Sequence, residues 1–110
     1  MEDNLNITLV TLATGDELIT NVKDHIEKRD GVEKKVCYNM VYPFILSRSG
    51  PVKDGKVGVV LTPWKFFSSD VSFLIGYDQI INMCTPQKNI VEQYKQAVDG
   101  MIEANADPIR

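Results

Sequence analysis

The sequence predicts a mainly β domain with one C-terminal α-helix, and three observations support this prediction. Short runs of alternating or β-branched apolar residues recur from Ile7 to Cys84, and turn signals built from Gly, Pro or Asp separate them. No helical pattern lies between these runs, which excludes a parallel βαβ sheet. The apolar period becomes helical only after Pro86. Many short strands with frequent turns indicate a small, strongly bent barrel.

The composition is that of a single globular domain. A chain of 110 residues holds one hydrophobic core, and its 44% apolar and 25% charged residues exclude a disordered tail, a collagen-like fibre and a disulfide-dense miniprotein. The net charge of −3 gives no general attraction to nucleic acid, so any such contact needs a local basic patch. The expected organisation is a disordered N-terminus at 1–6, a barrel at 7–86, a helix at 87–104 and a tail at 105–110.

The first two strands form a predicted hairpin. Ile7–Ala13 alternates in polarity and is rich in β-branched residues, and Glu17–Asp24 alternates again. Thr14-Gly15-Asp16 between them is a tight-turn signal, because Gly tolerates positive φ and Asp bonds to its own backbone.

The next segment, His25–Lys35, is highly charged and contains a second turn signal at Asp30-Gly31. It is either the tip of a long hairpin or an exposed extension of bent strands. It holds the densest basic group of the chain, which consists of Lys28, Arg29, Lys34 and Lys35. Acidic residues alternate with these cations, so the local field is nearly neutral and a solvated tip is favoured over a binding patch.

Four further strands are predicted. The apolar region Val36–Ser47 contains Pro43, which marks an edge, a bulge or a bend because proline cannot donate to a ladder. Two turn signals, Gly50-Pro51 and Asp54-Gly55, predict a loop over Ser47–Lys56. The remaining predicted strands are Val57–Leu61, Val71–Ile75 and Gln79–Cys84.

The C-terminal segment carries an apolar stripe with helical spacing. Its members are Ile90, Val91, Tyr94, Ala97, Val98, Met101 and Ile102. Thr85-Pro86 and Asn89 are alternative starts of the helix, and Gly100 favours an early end. The stripe needs an apolar partner, and we expect it to cover the barrel mouth or to pack against a second copy.

No group of residues in the sequence indicates catalysis, a metal or a cofactor. Cys37 and Cys84 have no CxxC spacing and are expected to be reduced, buried thiols. The single histidine, His25, is expected in a solvated loop, which leaves no recognisable zinc site and no His-dependent triad. Neither phosphate-binding loop motif is present. We therefore expect a protein that is not an enzyme.

An aromatic cluster follows the fourth predicted strand. Trp64, Phe66 and Phe67 lie close together in the sequence with one flanking cation, Lys65. These rings either pack in the core or a subunit interface, or form a stacking platform for single-stranded nucleic acid.

Two segments resemble the motifs of Sm and Sm-like proteins. Val10–Ile19, in which a turn with Gly and a charged residue joins two apolar strands, is similar to the opening of the first Sm motif. Ile75–Pro86, in which two short strands meet at a tight turn and end at a proline, is similar to the second motif. More closely, the chain resembles the short Sm-like proteins of marine tailed phages and environmental sequences. The shared features are Tyr42-Pro43-Phe44, Thr62-Pro63-Trp64, Phe66-Phe67-Ser68 and Pro86 with Tyr94.

The resemblance implies an SH3-like, strongly bent, five-stranded Sm-like barrel and a homo-oligomeric ring. In such rings the fourth strand of one subunit pairs with the fifth strand of the next. Open strand edges behave in this way, because their unpaired N–H and C=O groups seek a partner and a head-to-tail contact can close. The expected interface residues are Val71, Phe73, Ile75, Ile80, Asn82 and Cys84.

The sequence differs from the family at the residues that bind RNA. Uridine-binding members carry Asp-x-Asn and Arg-Gly, but Asp-x-Asn is missing near Asn39, and Ile75 precedes Gly76. The bacterial member Hfq carries Tyr-Lys-His where this chain has Tyr77-Asp78-Gln79, so phosphate is repelled at the aspartate. Tyr77 could still stack a base and Gln79 could bond a base edge, with Asn39 behind them. Alternatively, Tyr77 packs the turn and Gln79 is a solvated amide.

Two functions are therefore expected. The first is a non-catalytic Sm-like scaffold that associates with single-stranded RNA, and the second is an interaction or structural protein that keeps the ring but does not bind RNA. The first residues lack a basic and an apolar region, and no apolar run approaches the ~20 residues of a membrane span. We expect a cytoplasmic protein without a membrane partner (in the host cytoplasm if viral) whose partner is a copy of itself.

Overall fold

A computed structural model describes residues 6–53 and 56–106, with side chains described outside 49–57 and 105–106. The fold is mainly β with one C-terminal helix, as the sequence predicts. The strands are β1 (Ile7–Leu12), β2 (Glu17–Arg29), β3 (Val32–Lys53), β4 (Lys56–Pro63), β5 (Ser72–Ile75) and β6 (Ile80–Cys84). A 3₁₀ turn covers Tyr77–Gln79, and the helix α1 covers Lys88–Ala106.

The six strands of the described residues form one antiparallel sheet, as many as the sequence pattern predicts and one more than the Sm-like resemblance implies. The order is β4-β3-β2-β1-β6, and β5 pairs with the first half of β3 on the side that β4 uses further along. Over residues 6–53 and 56–106, no pairing joins β6 to β4 or β5, so the sheet is not closed within one chain. The long strands β2 and β3 form its centre.

Two predicted turns are present, and the glycine in each of them has a positive φ. Gly15 has φ +95°, and its N–H donates to the Leu12 carbonyl at 2.9 Å. Asp30 (φ 52°) and Gly31 (φ 78°) join β2 to β3 as a two-residue loop, and positive φ at both positions is typical of a type I′ hairpin. The segment His25–Lys35 is therefore the end of a long hairpin.

A β-bulge bends β3 at Tyr42-Pro43. Ile19 pairs with Phe44 and Asn21 pairs with Val41, so two residues of β3 oppose one residue of β2. Tyr42 has φ 50°. Of the three outcomes predicted for Pro43, the bulge is the one observed.

The first part of the predicted loop over Ser47–Lys56 is a strand in the structure, so this part of the prediction is wrong. The strand β3 continues to Lys53, because β4 runs alongside it through the pairs Ser49 with Gly58 and Lys53 with Lys56. The Gly50-Pro51 signal produces an irregular register between Ser49 and Lys53 instead of a turn. The second signal, Asp54-Gly55, lies outside the described residues.

The sheet has a hydrophobic cluster on each face. The inner cluster consists of buried Val10, Leu12, Leu18, Val22 and Met40. The outer cluster joins Ile19 and Phe44 of the sheet to Tyr94 and Val98 of α1. The helical stripe therefore covers the sheet of its own chain.

The chain ends were predicted as a disordered segment at 1–6 and a tail at 105–110. Residues 1–5 and 107–110 lie outside the described residues. Asn6 donates its N–H to the Asn21 side chain at 3.1 Å and accepts from the Val22 N–H at 3.0 Å. At the other end, α1 continues to Ala106.

Candidate functional site

The outer edges of β5 and β6 are the first candidate site. Each strand pairs on one side only, β5 with β3 and β6 with β1, and within the described residues no strand pairs with the other side. The 3₁₀ turn connects the two strands directly. β4 also ends the sheet. Open edges of this kind present N–H and C=O groups to a further strand.

Three of the six expected interface residues direct their side chains into their own chain. Ile75 and Ile80 pack against the inner cluster, and the Phe73 ring meets the Trp64 ring edge-to-face with 5.5 Å between centroids. Val71 is half-buried, and its carbonyl accepts the Tyr42 N–H at 2.7 Å. Asn82 and Cys84 are exposed.

The exposed apolar side chains beside these edges are Leu74 and Ile81, which the sequence analysis missed. Leu74 is 59% exposed because it points away from the inward-facing Phe73 and Ile75. Ile81 is 68% exposed because it is the extra residue of a bulge between the pairs Thr11–Asn82 and Leu12–Ile80. Strict alternation in β5 was a signal for Leu74, whereas no sequence signal marks the bulge.

Tyr77 lies in the 3₁₀ turn against Tyr38. The two rings meet edge-to-face with 4.8 Å between centroids, and Tyr77 remains 42% exposed. Partial desolvation raises the pKa of Tyr77, and the negative charge of Asp24 adds to this effect. Lys35 acts in the opposite direction, but its Nζ lies 3.2 Å from the Asp24 carboxylate. The surface beside Tyr77 therefore offers a phosphate little positive charge.

Tyr77 and Asn39 are not brought together. Asn39 follows Tyr38 in β3, and successive strand residues point to opposite faces, so Asn39 faces away from the side that holds Tyr77. The Asn39 Oδ1 accepts the Ser72 hydroxyl at 2.6 Å. Gln79 is exposed, and its carbonyl accepts the Ala13 N–H at 2.8 Å.

The Trp64 region divides into a packed ring and two exposed rings. Trp64 packs against the inner cluster, and its backbone N–H donates to the Pro43 carbonyl at 2.9 Å. Phe66 and Phe67 are 67% and 98% exposed at the centre of a turn closed by the Ser68 N–H and the Lys65 carbonyl at 2.8 Å. We call Lys65–Ser68 the aromatic turn.

A groove lies between the start of α1 and the strands β1, β2, β3 and β4. Its volume is about 360 Å³, and its apolar wall is formed by Leu9, Leu46, Val59 and Ile90. Glu17 and Arg48 supply charges of both signs.

The expected cysteine and histidine environments need correction. Cys84 is exposed and Cys37 is half-buried, because Cys84 lies on the edge strand β6 rather than in the core. His25 lies on β2 rather than in a loop, with Nε2 3.7 Å from the Glu27 carboxylate.

Among the residues described, no three His, Cys, Asp or Glu side chains form a group that could hold a metal ion. None of the described helical segments is long and apolar enough to cross a membrane.

A known protein family matches most of the chain. A protein-family model described as a family of unknown function, DUF6561, matches residues 5–99. That range includes all six strands and the first part of α1. No curated protein matches the chain.

Proposed function

We propose that this chain, which belongs to the DUF6561 family, is a non-catalytic Sm-like scaffold that assembles with copies of itself through β5 and β6. The observation that carries the proposal is the pair of open edges on two short strands, β6 at one end of the pairing order and β5 beside the first half of β3. One copy offers the edge of β5, and the next copy accepts it with the edge of β6. Such a contact is head-to-tail, so it repeats and closes into a ring when the rotation permits.

The strand order supports the Sm-like, SH3-like part of the proposal. The strand β5 returns to the first half of the bent β3, and a 3₁₀ turn leads to β6, which pairs with β1. The bulge at Tyr42-Pro43 is of the kind that bends the strands of barrels locally. In this arrangement β5 and β6 correspond to the fourth and fifth strands of the resembled family.

The local charge favours the form of the scaffold that does not bind RNA. Asp78 stands beside Tyr77, and the nearby Lys35 is already paired with Asp24. Because nucleic-acid affinity depends on cations that neutralise phosphates, this surface lacks the main attractive contribution. RNA association is the second candidate function, and the exposed Tyr77 ring with the exposed Gln79 supports it.

Sedimentation velocity across a concentration series tests the assembly. We expect a defined oligomer for the wild type and a shift to monomer for Leu74→Lys, since a charge beside the β5 edge blocks pairing. Ile102→Lys is the matched control, because Ile102 is an exposed apolar residue on α1, outside both edges. A wild type that stays monomeric at high concentration contradicts the proposal, and so does a Leu74→Lys variant that assembles normally.

Fluorescence anisotropy with poly-U and poly-A oligonucleotides separates the two candidate functions. We expect no binding by the wild type at low salt. Salt-dependent binding that Tyr77→Ala abolishes would establish the RNA-associated function instead. Asp78→Lys serves as the positive comparison, because it changes the charge by two per subunit at the position where the family attracts phosphate.

A further inference from the structure

We propose that the aromatic turn of one copy inserts Phe66 and Phe67 into the groove of the adjacent copy. This inference rests on the proposed assembly through β5 and β6, and it names a second contact that the same pairing brings about. The occupant of the groove is therefore a second copy of this chain.

The aromatic turn is ordered by hydrogen bonds and exposes both of its phenylalanine rings. Phe66 and Phe67 contact each other edge-to-face with 5.3 Å between centroids, and the turn is closed by the Ser68 N–H. The Ser68 hydroxyl also accepts the Asp70 N–H at 3.0 Å, which fixes the segment leading to β5. Trp64 anchors the other side in the inner cluster. Two adjacent, exposed phenylalanines on an ordered turn are typical of a contact surface.

The groove has the size and lining for aromatic rings. A cavity of roughly 150 Å³ lined by apolar side chains holds a benzene ring. The groove of about 360 Å³ has room for two such rings beside Leu9, Leu46 and Ile90.

The direction of the strand pairing brings the turn and the groove together. Every strand pair in the sheet is antiparallel, so we take the contact of β5 with the neighbouring β6 as antiparallel. The start of β5 then lies beside Cys84, the last residue of the neighbour's β6. Cys84 pairs with Leu9, a residue of the groove wall, and Gln87 of the groove follows three positions later.

The chain between the two contacts is long enough to reach. Phe67 precedes Ser72, the first residue of β5, by five positions, so the chain keeps it within roughly 16 Å of the start of β5 at about 3.3 Å per residue. The three positions from Cys84 to Gln87 span roughly 10 Å on the same basis. The aromatic turn can therefore lie over the neighbour's groove while β5 pairs with β6.

Each of the two surfaces carries one cation and one anion, so one orientation pairs unlike charges. Lys65 and Asp70 flank the phenylalanines, and Glu17 and Arg48 line the groove. Lys65 can meet Glu17, and Asp70 can meet Arg48. Such rim charges set orientation and partner choice more than affinity.

Photo-crosslinking tests the contact directly. The full chain carries p-benzoylphenylalanine in place of Phe67, and crosslinked peptides are identified by mass spectrometry. We expect crosslinks between chains to the peptides that contain Leu9 or Ile90. Crosslinks confined to other surfaces overturn the inference.

A pair of variants measures the contribution of the contact. We expect Phe66→Ala/Phe67→Ala to weaken self-association on the order of 100-fold or more, because it removes two buried aromatic side chains. Val32→Ala is the control, since Val32 is exposed at the tip of the β2–β3 hairpin. Lys65→Glu and Glu17→Lys should each weaken association on the order of fivefold, and the double variant should recover it.

The outcomes separate this inference from the proposed function. A monomeric wild type removes the assembly and the inference together. A wild type that assembles with unchanged affinity after Phe66→Ala/Phe67→Ala keeps the assembly and overturns the inference alone. Flotation with phosphatidylcholine vesicles covers the alternative occupant, because binding that this double variant loses would assign the aromatic turn to a lipid surface and contradict the inference.

Discussion

Tyr94→Phe removes a single hydroxyl from the buried layer between α1 and the sheet. That hydroxyl lies 2.8 Å from the Tyr42 carbonyl and 3.1 Å from the Val41 carbonyl, so it closes the β-bulge from the helix side. The Val41 carbonyl keeps a second donor, the Thr20 hydroxyl at 2.9 Å. The Tyr42 carbonyl belongs to a bulge residue that is not in register with any strand, so it loses its hydroxyl partner.

The expected loss of stability follows from this asymmetry. A partly buried carbonyl that loses its donor costs about 1–3 kcal/mol, whereas the phenyl ring keeps the apolar packing of Tyr94. The free energy of unfolding of a domain is about 5–15 kcal/mol, so the loss is a substantial fraction of the total. For a domain of this length the melting temperature should fall by about 4 °C or more.

Urea unfolding followed by Trp64 fluorescence measures this loss. The variants are compared in the Leu74→Lys background, so that a change in assembly does not alter the apparent stability. Tyr42→Phe is the matched control, because the Tyr42 hydroxyl has no hydrogen-bond partner among the described residues. We expect that control to change the free energy of unfolding by less than about 0.5 kcal/mol. If Tyr94→Phe costs no more than Tyr42→Phe, the hydroxyl does not hold the bulge and the reasoning is refuted.

Three further predictions concern pH and the backbone. Burial raises the pKa of the Tyr94 hydroxyl well above its ordinary value of about 10, so the folded state favours the neutral hydroxyl. The stability that this preference contributes is complete below pH ~10 and is lost as the pH rises further. The stability difference between wild type and Tyr94→Phe should therefore be constant from pH ~6 to ~9 and shrink above pH ~10 in the same urea titrations. Gly31→Ala should lower the free energy of unfolding by about 1 kcal/mol, because Gly31 has φ +78° although a Cβ there meets no atom within 4 Å. Gly100→Ala should raise it by about 0.5–1 kcal/mol, since Gly100 lies within α1 with open space around it; equal signs for these two glycine variants would contradict this account.

The local elements were predictable because short-range chemistry determines them. Asp30-Gly31 specifies a two-residue turn through the positive φ that both residues adopt. The helix follows from an apolar stripe that packs on Ile19 and Phe44. In contrast, Gly50-Pro51 was read as a turn, although the partner strand β4 keeps this segment in the sheet. That outcome depends on pairing with a distant segment, which local residue preferences do not contain.

The face of the sheet on which each residue of the candidate site lies was harder to predict than the strands themselves. The sequence correctly marks β5 and β6 as strands, but Phe73, Leu74 and Ile75 are all apolar, so hydrophobicity alone does not tell which of them points outward. The bulge at Ile81 shifts the alternation of β6 by one residue. Phe66 and Phe67 are aromatic, and most aromatic residues are buried, so their exposure became visible only in the folded chain.

The size of the β5 edge explains why the proposed assembly needs the aromatic turn. The strand β5 has four residues, so its outer edge offers roughly four backbone groups, and each hydrogen bond contributes a net free energy of about 0.5–1.5 kcal/mol. Association costs about 4–15 kcal/mol in lost translational and rotational freedom. Backbone pairing therefore does not hold two copies together without side-chain burial. In the proposed assembly, Leu74 and Ile81 would supply part of this burial, and each phenylalanine that enters the groove would add about 1.5–3 kcal/mol. Because the assembly depends on side chains in this way, self-association should weaken more in Phe66→Ala/Phe67→Ala than in Leu74→Ala.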